Sequence, residues 1–123
     1  MSRTRNELSK KSPYYLPKHR ILELEHFCLQ YNDWEELYLS IDESIHGDEK
    51  EAVLLADLSR TMRFIEDVAL DTDEVIGPYI FISVTDGVPY HTLKTVHDIP
   101  CGKEYFYKLR RKFFWLLSEK KGI

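Results

Sequence analysis

Apolar side chains recur at helical intervals along most of the chain and at strand-like intervals in one segment only. From Pro17, the positions Ile21, Leu24, Phe27, Cys28 and Tyr31 fall three or four apart, which predicts a helix with proline at its first position. Asn32 followed by Glu35 resembles a capping box, and Trp34, Leu37, Tyr38 and Ile41 mark one face of a short second helix. Ser44 to Asp48, with Gly47, reads as a loop. Leu55, Leu58, Met62, Ile65 and Ala69 then predict the longest helix, over 50–71, packed on the first two. Before all of these, residues 1–15 read as a flexible basic arm closed by Ser12-Pro13, a pair that biases the backbone away from helix.

The segment from Thr72 to Thr95 supports two readings. Tyr79 to Thr85 is rich in β-branched and aromatic residues, and Asp86-Gly87 is a good hairpin turn, so local propensity points to two strands. The rival is a helix over 73–86 with Ile76, Tyr79, Ile80, Ser83 and Val84 inward, a kink at Pro78 and Gly87 as C-terminal cap. The helix is preferred because the sequence downstream is helical. A short helix from Pro89 to Val96 must stop at Asp98-Ile99-Pro100, and an amphipathic helix over about 101–119 follows, with lysines near its end and Gly122 beyond.

Charge adds a polarity to this picture. The net charge of −4 divides into +3 over residues 1–31, −12 over 32–87 and +5 over 88–123. At physiological salt, charges beyond about 8 Å are screened, so a net negative sum leaves a local basic face able to meet a polyanion. The 43% apolar and 31% charged composition fits a globular protein, and the 123 residues fit one compact domain or a helical body with a smaller appendage. Apolar runs stop well short of the roughly 18 residues of a membrane span, and the opening MSRTRNELSKKS lacks a secretory apolar segment. A cytoplasmic location and no membrane partner are therefore expected. Cys28 and Cys101 read as reduced thiols. Of the five histidines only His91 and His97 lie near each other, without further ligands at metal spacing, so no metal or cofactor is expected.

The candidate chemistry lies in the last segment. On a helical wheel Phe106, Leu109, Phe113, Leu116 and Leu117 form one side, while Glu104, Lys108, Arg111 and Lys112 lie opposite, flanked by Tyr107. A short helix, a tight turn and a longer helix with a cationic outer face is the layout of a helix-turn-helix, whose second helix enters the major groove. Arginine and lysine grip guanine acceptors or phosphates, and tyrosine bonds either. Lys103, Tyr107, Lys108, Arg110, Arg111 and Lys112 are thus the candidate DNA-binding residues. The plain alternative is a solvated basic face with no ligand. Trp115 is expected to bury against the N-terminal helices, with a protein contact as its alternative. Arg3 and Arg5 would suit a minor-groove arm.

These residues also carry a family resemblance. IPCGKEYFYKLRRKFFWLL, VTDGVPYHTLKT and the opening SPYYLPKHRILELEHFCLQYNDW resemble late-gene transcription regulators of the ArpU and RinA type from phages and prophages, whose C-terminal part is similar to region 4 of sigma-70 factors. The resemblance matches Ile99 to the turn hydrophobe, Gly102 to the small residue opening the recognition helix, and Arg110-Arg111 to the basic pair. It implies promoter DNA as partner and RNA polymerase as a further one. Three positions depart from the pattern. Asp98 replaces the turn glycine, Lys94 stands where a small residue is usual, and Glu104 falls on a buried position unless the turn is one residue longer and Phe106 takes its place.

The sequence therefore predicts an all-α protein, with a helical body over 16–71 and a helix-turn-helix over 72–123, acting as a sequence-specific transcription regulator on double-stranded DNA. No phosphate loop, nucleophile elbow or metal motif is present, so no enzyme is expected, and the carboxylates between 32 and 74 read as a solvated acidic face. Two other functions fit the same residues: a phage terminase small subunit, which also binds DNA, and a protein-only adaptor or inhibitor that uses the acidic surface.

Overall fold

The computed structural model describes residues 12–43 and 49–122, and among these every regular element is helical. The predicted basic arm up to residue 11, with Arg3 and Arg5, and the loop 44–48 lie outside the described residues. Six helices follow one another: α1 Lys18–Leu29, α2 Tyr31–Glu43, α3 Glu49–Thr72, α4 Gly77–Asp86, α5 Tyr90–His97 and α6 Lys103–Lys121.

Proline and glycine set most of the boundaries. Pro17 precedes the first turn of α1 in extended backbone, and its carbonyl accepts the Ile21 N–H. Between α1 and α2 only Gln30 intervenes, and Trp34 N–H bonds its carbonyl. The expected capping box is not formed. Asn32 instead reaches across to the end of α4, donating to the Asp86 carboxylate at 2.8 Å and the Thr85 carbonyl at 3.3 Å. A side chain with two tertiary partners is withdrawn from its own helix start.

α3 runs back along α2, so that Tyr31 at the start of α2 donates to the Glu66 carboxylate late in α3. Its inward stripe is Leu58, Met62, Ile65, Val68 and Ala69, with Leu55 half-buried. At the end of α3 the Asp73 carboxylate accepts the N–H groups of Val75 and Ile76, which directs the chain into α4. This segment is helix and not hairpin. Pro78 falls in the first turn, where a missing N–H costs nothing, so no kink is needed. Gly87 closes α4 in the left-handed conformation, with φ of 69° and its N–H on the Ser83 carbonyl. Burial against α3 and α6 overrides the strand propensity of 79–85, because Ile76, Ile80, Ser83 and Val84 then all face one core.

One continuous apolar cluster, from Leu24 to Leu117, draws on all six helices. α3 packs on α2, α4 and α6, and α1 crosses α4 and α6. Phe106, Phe113, Ile65, Ile80 and Leu93 are fully enclosed. None of the helices described is long and apolar enough to cross a membrane.

Candidate nucleic-acid interface

α5 and α6 are held at a fixed angle by the five residues between them. Asp98 takes the left-handed conformation, φ 50° and ψ 50°, the only positive φ outside glycine among the described residues. Its short side chain makes that conformation tolerable, and the backbone gains a helix cap in which Asp98 and Ile99 N–H both bond the Leu93 carbonyl. Ile99, 1% exposed, then plugs the angle beside Leu93 and Phe106. Phe106 is fully buried and Glu104 is exposed.

Tyr90 latches the two helices. Its hydroxyl donates to the Cys101 carbonyl at 2.6 Å, its backbone N–H donates to the Tyr107 hydroxyl at 3.2 Å, and its ring lies 5.8 Å from that of Phe106. Gly102 sits in ordinary extended backbone, with open space where a Cβ would be, so no crowding requires a glycine there.

The six candidate residues separate into two groups. Lys103 and Lys108 are exposed, and Arg111 and Lys112 are half-buried along the edges of the outward stripe. Lys112 Nζ donates to the Thr72 carbonyl at 3.1 Å, which ties the stripe to the end of α3. Tyr107 and Arg110, expected to face outward, turn inward. Tyr107 is 9% exposed and its hydroxyl serves the Tyr90 latch. The Arg110 side chain is 13% exposed, lies 3.7 Å from the Glu25 carboxylate, and sets its guanidinium over the Phe114 ring at 4.9 Å. Burial pulls the Arg110 pKa below its ordinary value, and the negative field of Glu25 opposes that shift. Both residues line a cleft of about 320 Å³ between α1, α6 and the α4–α5 connection, with Glu25, Ser83 and Val88.

On α5, Lys94, Thr95 and His97 are exposed, with Lys94 and His97 in its last turn. Trp115 is half-buried, its ring 5.7 Å from that of Tyr14 in the segment before α1. At the far end of α6, Lys120 pairs with Asp71 at 2.9 Å and Lys121 lies over the Phe27 ring at 3.9 Å. These terminal lysines hold the helix to the body.

Among the described residues no group of His, Cys, Asp and Glu has the arrangement of a metal site. Cys28 is buried and Cys101 half-buried, both free. Comparison of the chain with protein-family models, with curated proteins and with solved structures finds no match.

Proposed function

We infer that the protein is a sequence-specific regulator that binds double-stranded DNA, with α5, its turn and α6 acting as a helix-turn-helix and α6 entering the major groove. The observation that carries this reading is the cationic outward face of α6, where Lys108 is exposed, Arg111 and Lys112 flank it, and Lys103 is exposed at the start of the helix, on a helix braced by the Tyr90 latch. A braced helix presents its cations at low entropic cost, and a groove or phosphate backbone is the ligand whose spacing rewards that rigidity. In this reading Lys103 and Lys108 grip phosphates, Arg111 reads a base edge, and Lys112 adds its charge from a fixed position. Tyr107 and Arg110 have a bracing role. The resemblance to phage late-gene regulators of the ArpU and RinA type implies the same partner.

Selection of bound sequences from random DNA at near-physiological salt tests the reading, and a recovered consensus is the expected result. On that consensus, Lys108→Ala should lower the slope of log K against log salt by about 0.9, the share of one phosphate contact. Arg111→Ala should cost about 1 to 3 kcal/mol and relax one position of the site. Failure to recover any consensus, with no binding even at low salt, would remove the proposal.

A further inference from the structure

The α2–α3 hairpin is unevenly packed. Tyr31 and Leu58 mark the limit of full burial, and beyond them, over 32–41 and 49–57, no described side chain is fully enclosed. The seam there consists of Trp34, Tyr38, Ile41 and Leu55, all half-buried. Beside it Leu37 is 43% exposed, Leu54 40% and Val53 58%. Because α3 returns along α2, helical register brings Leu37 and Leu54 to the same side of the seam, one from each helix. A half-buried seam with exposed leucines beside it leaves an apolar strip that a third helix would complete.

Charge decides what that third element is. Over the described 33–41 and 49–60 there are six acidic residues against Lys50 and Arg60, and Arg60 pairs with Asp57 at 2.8 Å. A second copy of the chain would bring an equally acidic strip against this one, at separations where screening is incomplete. DNA is excluded by the same repulsion. A cationic polypeptide with an apolar face satisfies both the strip and its rim.

We propose that the described outer parts of α2 and α3, over 34–41 and 49–57, form a docking surface for a basic amphipathic helix of another protein, seated on Leu37, Ile41 and Leu54 with its cations against Asp33 and Glu36. This surface is separate from the stripe of α6 and its occupation does not depend on DNA binding.

The test uses the full chain and three labelled peptides of about 18 residues, roughly five helical turns. One has leucine and lysine at amphipathic spacing, one has the same leucines with glutamate, and one has lysine and serine without apolar residues. Anisotropy titration should show binding of the leucine–lysine peptide that weakens with salt, and weak or no binding of the other two. The double variant Leu37→Ser, Leu54→Ser should lose at least about tenfold in affinity, since central apolar anchors carry most of such an interface. Val96→Ser, which alters an exposed apolar residue on α5, should leave affinity unchanged, and the melting curves of both variants should match that of the parent. Equal binding of the lysine–serine peptide, or full affinity in the double variant, would reduce the effect to general polycation attraction and overturn the proposal. So would sedimentation showing a dimer that the double variant abolishes, which would give the strip to a second copy.

Discussion

Arg110 and Lys108 lie two positions apart on one helix and have opposite roles. The Arg110 guanidinium is enclosed between Glu25 and Phe114, so removing it leaves a mostly buried carboxylate without its partner. Arg110→Ala should therefore cost about 3 kcal/mol of stability, at the low end for a broken buried pair because Glu25 keeps some exposure. Lys108→Ala, fully on the surface, should stay within about 0.5 kcal/mol. Urea denaturation of the two variants checks both, and comparable losses would mean that Arg110 is not a brace. Cys28 gives a second residue-level prediction. Burial pushes its thiol up to about 12, against the weaker pull of Arg110 and Lys121. The folded chain then holds this proton where the unfolded chain releases it, near pH 8.5. Its contribution is whole below that pH and declines as pH rises toward the folded value, by about 1.4 kcal/mol per pH unit. Stability measured from about pH 9 to 10 should fall less steeply in Cys28→Ala than in the parent. Tyr31, raised by burial and by its bond to Glu66, adds a loss of the same sign at higher pH.

At the level of elements, the α3–α4 junction brings two stretches of backbone into close approach. A Cβ on Gly77 would lie 2.5 Å from the Ala69 carbonyl oxygen and 3.0 Å from its carbon, both backbone atoms that side-chain motion cannot relieve. Gly77→Ala should destabilise the protein by about 1 to 3 kcal/mol despite the better helix propensity of alanine. Thermal melting followed by circular dichroism measures this, and an unchanged midpoint would contradict the close approach. Sequence signals for the elements were mostly local and mostly legible. Pro17, Pro89 and Gly87 mark ends where the backbone has a special requirement, and α3 follows its apolar stripe. Asn32 was misleading because its side chain had a better partner 53 and 54 residues away, which no local pattern records. The strand-like run of 79–85 became helix for a similar reason, since α3, α1 and α6 surround it and only the helical period faces them all.

Over the whole molecule, packing and charge are both graded. The enclosed core lies where α1, α3, α4 and α6 meet, whereas over 32–41 and 49–57 no described residue is fully enclosed and the sequence is acidic. Regions with few enclosed apolar contacts open locally before the rest. Amides of 34–41 and 50–57 should therefore exchange with solvent ahead of those in 62–70 and 106–117 in native-state hydrogen exchange, and uniform protection along α3 would contradict this gradient. Outside 79–85, where packing decided, the sequence by itself determined that the chain is helical and set most helix boundaries, because the apolar period and the demands of proline and glycine act over one or two turns. It also determined that the cations gather on the last helix. Only the tertiary structure decided which of them face out. A helical wheel fixes the angle between side chains but not the width of the buried arc, and α6 is packed by α1, α3 and α4 together. That wide arc takes in Tyr107, Arg110 and Phe114 and leaves Lys108 outside it, while Lys103, on the arc's own angle, is exposed because it opens the helix.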